Sequence, residues 1–183
     1  AFADGEIAPH AASWDRDHSF PRAVFAKLGE LGLMGVCVPE ELGGAGLDHV
    51  EVTNGGSEAN FITTFRLIEP GDEVVMLVPN YMQTWGLSRA FGATVREWRF
   101  IEDRAAGRWR IDLAALAALV NAKTRMIVIC NPNNPTGARL TAADLDGIAG
   151  IADRHGAWVL SDEVYRGAEI DGQETASMWG RSD

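Results

Sequence analysis

Three short apolar runs constrain the fold of this 183-residue chain more than any other feature. Val74–Val78, Met126–Cys130 and Trp158–Ser161 are apolar almost throughout, with no polar residue at every second position. A strand of that kind needs apolar cover on both faces, and a parallel sheet lying between helices supplies it. Helical patterns fall between the runs, over 58–67, 84–91, 113–120 and 142–155, with a further strand over 94–98 and a short one over 50–53. Pro70-Gly71-Asp72 marks a turn. The expectation is an α/β architecture with a mostly parallel sheet and helices on both faces.

The first part of the chain has a different texture. Residues 3–35 read as helix, turn, helix, with Pro21 in the first turn of the second helix and Val24, Phe25, Leu28 and Leu31 at helical spacing. Gly32 and Gly35 close that helix, and Pro39 to Gly46 forms a glycine-dense loop without strand or helix period. The expected division is therefore a helical hairpin over 1–47 and the α/β part over 48–183.

Bulk properties exclude several classes. Charged residues make up 23% and apolar residues 46%, as in a soluble globular protein and unlike a disordered one. The net charge of -10 argues against a nucleic-acid partner, and the basic stretch Arg96–Arg110 is interrupted by Glu97, Glu102 and Asp103, so it reads as a solvated face. Cys37 and Cys130 sit in apolar runs, as free thiols of a reducing cytoplasm would. His10, His18, His49 and His155 have no metal-ligand spacing, so no metal is expected. No apolar stretch is long enough for a membrane span.

In a parallel sheet, ligands sit beyond the carboxyl ends of the strands, so the residues after each run carry the chemistry. These are Gly55-Gly56-Ser57-Glu58, Pro79-Asn80-Tyr81, Asn131 to Gly137, and Asp162 to Arg166. The Gly55–Ser57 turn before a helix offers free N–H groups and a hydroxyl to a phosphate; a plain capping turn has the same composition. Tyr81 could lie flat on a ligand ring or pack as a rim aromatic. Two X-Pro steps in Asn131-Pro132-Asn133-Asn134-Pro135 suit a backbone that aims an amide, or a rigid surface turn. Asp162 ends an apolar strand, where a carboxylate is costly unless it meets a cation or caps a helix.

Taken together, these segments resemble the class I/II aminotransferases, the fold-type I pyridoxal-phosphate (PLP) enzymes. The resemblance runs from about residue 48 to 183, through Val52 to Ala59, Pro70 to Val74, Pro79-Asn80-Tyr81, Asn131 to Gly137 and Ser161 to Tyr165. It implies the large domain of that fold, and pyridoxal 5'-phosphate as cofactor. Gly56, Ser57 and Glu58 would give donors to the phosphate, and Tyr81 would stack on the pyridine ring. Asn134 and Tyr165 would bond the ring's 3'-oxygen, and Asp162 would pair with the ring nitrogen. The implied substrates are an amino acid and a 2-oxo acid, and the implied assembly is a homodimer.

The family also needs a Schiff-base lysine, and the resemblance places it after the stretch resembling Gln173–Asp183. Only Lys27 and Lys123 occur here, the first in the leading segment and the second at the amino end of the Met126–Cys130 run. The expectation is a truncated, incomplete core with no catalytic residue, unable as given to transaminate. Residues 2–47 resemble instead the N-terminus of acyl-CoA dehydrogenases, in Gly5 to Pro9, Trp14-Asp15-Arg16, Phe20-Pro21, Leu31 to Gly35 and Val38 to Gly46. That resemblance suggests a chimera joined near Leu47–Val50. It leaves two alternatives: a flavoprotein fragment binding FAD, or a fragment that binds PLP without turnover.

Overall fold

The computed structural model describes residues 3–17, 23–24, 27 and 53–181. The chain divides into two compact units, Ala1–Val52 and Thr53–Asp183. In the first, a π-helical turn over Ala3–Ile7 leads into α1 (Ala8–Arg16). Lys27 reaches Glu6 at 2.6 Å, and His10 stacks at a tilt on Trp14 with centroids 5.6 Å apart. Phe25, Leu28, Leu31 and the loop from Pro39 to Gly46 lie outside the described residues.

The second unit is a three-layer α/β/α arrangement. Its elements are α2 (Gly56–Leu67), β1 (Glu73–Val78), α3 (Met82–Ala90), β2 (Thr94–Arg99), β3 (Ile101–Asp103), β4 (Arg108–Arg110), α4 (Leu113–Leu119), β5 (Thr124–Cys130), α5 (Ala142–His155) and β6 (Trp158–Asp162). Four strands pair in the order β2-β1-β5-β6, every pair parallel. The two-residue period of a strand explains the double-sided core. Val75 and Leu77 of β1 and Ile127 and Ile129 of β5 face one layer, packed with Leu116 of α4 and Leu145 and Ile148 of α5. Val74, Met76, Met126 and Val128 face the other layer, where Leu67 and Trp85 bring in α2 and α3. All eight of these strand residues are at most 2% exposed, which is why β1 and β5 lack polar alternation.

The outer strands differ for a physical reason. β2 lies at an edge, and of its six residues only Trp98 is buried, its indole nitrogen donating to the Asp112 carbonyl at 2.9 Å. The Arg96–Arg110 stretch, expected to be only a charged face, also folds as the antiparallel β3–β4 hairpin. Trp109 there packs edge-to-face on Phe100 at 6.2 Å, anchoring the hairpin to the core while its charges stay in solvent. The short strand expected over 50–53 is not seen at Thr53, which is irregular, and residues 50–52 lie outside the described residues.

A hydrogen-bond cluster closes the amino ends of the central strands. Glu73 accepts from Arg96 at 2.5 and 2.9 Å and from the Asn121 amide at 2.7 Å. The Arg96 guanidinium, followed by the Asn121 amide, holds the Glu73 carboxyl below its ordinary value. Just before β2, Gly92 has φ +88°, and a Cβ there would stand 3.1 Å from Pro70 Cα. Gly92→Ala is expected to cost about 1–3 kcal/mol, since a side chain is disfavoured at positive φ and the proline backbone cannot yield. A urea titration checks it: the midpoint should fall with an unchanged slope.

Candidate functional site

Parallel pairing puts the carboxyl ends of β1, β5 and β6 on one edge, and a cavity of ≈ 270 Å³ opens there. That is near the lower end of small-molecule sites, about 300–1,000 Å³. Gly56, Ser57, Tyr81, Asn134, Asp162 and Tyr165 all line it. Asn60, Cys130 and Val164 complete the wall. The sequence singled out the first six of these nine and missed Asn60, Cys130 and Val164. Glu58 is not in the lining; its carboxylate turns back to accept from the Asn54 amide.

The loops that carry these residues are held by buried amides. Asn131, with no exposed surface, accepts from Leu140 N at 2.9 Å and donates to the Ala176 carbonyl at 2.8 Å. Asn133, also buried, accepts from the Thr136 hydroxyl at 2.7 Å, and its backbone bonds Ala138 and Gly137 at 2.8 Å each. With those two amides fixing the loop, Asn134 alone of the three faces the cavity, where its Nδ2 stands 3.4 Å from the Tyr165 hydroxyl. The peptide bonds Asn131–Pro132 and Asn134–Pro135 are both cis.

Asp162 ends β6 in register with Cys130 of β5. Its Oδ2 accepts from Asn60 Nδ2 at 3.0 Å and its Oδ1 from Val164 N at 3.1 Å. Both donors are neutral, and among the described residues no Lys, Arg or His lies within ion-pair distance of it. On the cavity side, therefore, the carboxyl meets no cationic side chain among the described residues. Cys130 Sγ donates to the Pro132 carbonyl at 3.1 Å.

At the opposite wall, α2 begins at the cavity. Gly55 precedes it with φ +84° and makes no side-chain cap, and among the described residues no side chain accepts from the first-turn N–H groups of Gly56 and Ser57. A Cβ built on Gly55 or Gly56 meets no atom within 4 Å, so open space lies beside those donors. Tyr81, just before α3, is 47% exposed. Lys123 lies before β5, at the end of the sheet away from the cavity, with the seven-residue strand between. At about 3.3 Å per residue that strand spans roughly 20 Å. A second, larger cavity of ≈ 430 Å³ lies along Arg108–Ile111 and Thr136–Thr141, and holds none of these residues except the Asn134 loop's far end.

Arg166, to which the sequence assigned no role, is structural. It pairs with Glu174 at 2.5 Å and donates to the Thr175 carbonyl at 3.1 Å, folding the segment after β6. Glu169 ties the same segment, accepting from Gly167 N at 2.8 Å and Thr175 N at 2.9 Å.

The cavity lies at the carboxyl edge of a parallel sheet and is lined by a helix N-terminus and a carboxylate, the place where open α/β sheets hold their ligands. Residues 47–181 match the family described as Aminotransferase class I and II, and the chain belongs to it. Residues 1–60 match the Acyl-CoA dehydrogenase N-terminal domain, so the two matches overlap over 47–60. An arginine–pyruvate transaminase of Pseudomonas aeruginosa is 32% identical over 138 residues, covering 74% of this chain and 34% of that protein. A probable aspartate aminotransferase of Streptomyces griseus is 36% identical over 114 residues, covering 62% of this chain and 52% of that one. Among solved structures, a PLP-dependent aminotransferase of Streptococcus suis is similar with a TM-score of 0.63 and 39% identity, covering 71% of this chain and 33% of that one. N-succinyldiaminopimelate aminotransferase of Mycobacterium tuberculosis gives a TM-score of 0.66 at 33% identity, covering 70% and 33%. The chain thus spans about half or less of the length of these relatives.

Two outcomes follow from the chemistry of the walls. Burial pushes the Cys130 thiol above its ordinary range. At neutral pH, iodoacetamide should therefore label Cys130 at least about tenfold more slowly in the folded chain than in urea, as peptide mass spectrometry can read separately from Cys37. Hydrogen bonding from Thr175, whose backbone N–H lies 2.9 Å from Oε1, draws the Glu169 carboxyl down to about 2. A carboxyl lowered on folding stabilises above its unfolded value, about 4.3, and that contribution is lost as pH falls toward 2. The stability gap between the wild type and Glu169→Gln, followed by thermal melting, should be constant above pH ~5 and close by pH ~2.

Proposed function

We propose that the cavity at the carboxyl edge of the sheet is a pyridoxal 5'-phosphate site of an aminotransferase, and that the 183-residue chain binds this cofactor without completing transamination. One observation carries the reading: Asp162 faces the cavity as a carboxylate held only by neutral donors. A protonated pyridine nitrogen is the partner such a group lacks.

The other residues present fit the same cofactor. Free N–H groups of Gly56, Ser57 and Glu58 and the Ser57 hydroxyl would hold its phosphate, where the helix dipole favours negative charge and the glycines leave room. Tyr81 would cover one face of the ring, and Asn134 with Tyr165 would hold the 3'-oxygen. When bound, the cofactor supplies an electron sink for a carbanion. In the chain itself, Asp162 would keep the ring-nitrogen proton in place, Asn134 and Tyr165 would orient the ring, and the first turn of α2 would fix its phosphate. In the complete reaction the substrates would be an amino acid and a 2-oxo acid, with a second copy of the protein as partner. The different acceptors and donors named for the relatives leave the particular amino acid unassigned.

Among the described residues the cavity lining includes no lysine. Lys27 belongs to the Ala1–Val52 unit, where it pairs with Glu6, and Lys123 is exposed at the other end of β5. The covalent and proton-shuttling role of such an amine is therefore unfilled by these residues. An absorbance titration tests both halves of the proposal. PLP should bind and lose at least about tenfold in affinity in Asp162→Ala, since a hydrogen bond between charged groups is worth about 1.5–3 kcal/mol. Borohydride reduction should give no Asp162-dependent adduct on Lys27 or Lys123, and added amino acids should leave the spectrum unchanged. Binding that ignores Asp162 would sink the site; turnover with an Asp162-dependent lysine adduct would sink the inactive reading.

A further inference from the structure

We infer that Asn60 is a positioning residue that sets the orientation of Asp162 and acts on the bound ligand through that carboxylate. The inference rests on the reading of the cavity as a PLP site, in which Asp162 meets a cationic ring nitrogen.

Asn60 lies three residues after Ser57 on α2, so the helical repeat puts both on the face that lines the cavity. It is only 7% exposed, and a buried primary amide is costly unless its donors find acceptors. Nδ2 donates to Asp162 Oδ2 at 3.0 Å and, more weakly, toward Gln83 Oε1 at 3.4 Å. Gln83 is itself oriented, because its Nε2 donates to the Ser57 carbonyl at 2.8 Å. Only one orientation of each amide satisfies the set, with the Gln83 oxygen toward Asn60 and the Asn60 nitrogen toward Asp162. Val164 N holds the other carboxylate oxygen at 3.1 Å.

Asp162 is thereby fixed at both oxygens, from α2 on one side and from its own loop on the other. A charged donor in place of Asn60 would orient the carboxylate equally well but neutralise it. A neutral amide fixes the rotamer and leaves the charge available to the cavity. The chain α3, α2, β6 thus couples Gln83 and the Ser57 carbonyl to Asp162, so the two ends of the cavity, the α2 N-terminus and the carboxylate, are set by one hydrogen-bonded series.

The test uses the full chain and two variants of similar volume. Asn60→Leu removes the donor; Asn60→Asp also sets a carboxylate against Asp162. Circular dichroism and urea midpoints establish that each is folded. The probes are PLP and its 1-deaza analogue, in which a ring C–H replaces the nitrogen. Asn60→Leu should weaken PLP about tenfold and Asn60→Asp more, as expected for a lost hydrogen bond to a charged group. Affinity for the deaza analogue should stay within about twofold, as should PLP affinity when Asn60→Leu is added to Asp162→Ala. Equal losses for both probes, or additive losses in the double variant, would mean that Asn60 only fills space, and would overturn the inference. A ligand-free arm separates this from the cofactor reading. The Asn60 side-chain amide protons should shift in the NMR spectrum of Asp162→Ala, and no shift would overturn the inference. Failure of the wild type to bind PLP, with that shift present, would remove the cofactor reading while the Asn60–Asp162 coupling stands.

Discussion

β5 pairs in parallel with β1 on one side and β6 on the other, and the placement of every polar group in the cavity depends on that alignment. The register sets Cys130 beside Asp162, and Asn131 N continues the ladder to the Asp162 carbonyl at 2.9 Å. Antiparallel pairing of β6 would have carried Asp162 to the Lys123 end, away from Asn134 and Tyr81. The alignment is enforced by burial, because a one-residue slip of β5 would exchange Ile127 and Ile129 with Met126 and Val128 across two differently shaped layers. Core packing thus determines which loops meet.

The two edges of the sheet have different chemistry. At the amino ends, Glu73 is matched by Arg96 and Asn121, and its backbone amide donates to the Lys123 carbonyl at 2.9 Å. That edge is closed, with charge neutralised by charge. At the carboxyl ends, Asp162 accepts from the Asn60 amide and Val164 N, and the cavity remains open beside it. A carboxylate held by neutral donors lowers stability relative to one paired with a cation, a cost commonly borne at functional sites.

The parts legible in the sequence were those governed by local pattern. β1 and β5 stood out because burial on both faces removes polar residues; the helix read over 142–155 is α5, which a Thr141–Asp144 capping box opens and Gly156, at φ 63°, ends. The β3–β4 hairpin escaped because Glu102, Asp103, Arg104 and Arg108 hide its anchor, Trp109, in a run of charge. In the cavity, Ser57, Tyr81, Asn134, Asp162 and Tyr165 were recognisable since each follows a strand or opens a helix. Glu58 was expected only as a donor in the turn, and the direction of its carboxylate, back to the Asn54 N–H, is not something a sequence tells of a first-turn side chain. Asn60 gave no signal, since its partner lies 102 residues away and nothing near it on α2 points to a carboxylate.

Helix α2 shows why that partner matters beyond the cavity. Its buried residues are Asn60 and Thr64, while Phe61, Ile62 and Phe65 are between 45% and 67% exposed. An amphipathic helix docked by the hydrophobic effect alone would turn the other way. The inward polar face is tolerable only because its groups are satisfied: Thr64 donates to the Asn60 carbonyl at 2.7 Å, and Asn60 donates to Asp162. Phe61, Phe65 and Phe91 meanwhile group on the outer side, with centroids 5.7 to 6.0 Å apart, so part of their apolar surface is still covered. The rotation of α2 about its axis and the orientation of Asp162 are therefore one constraint. Whatever fixes the helix so that Gly56 and Ser57 present free N–H groups to the cavity also presents the amide that aims the carboxylate.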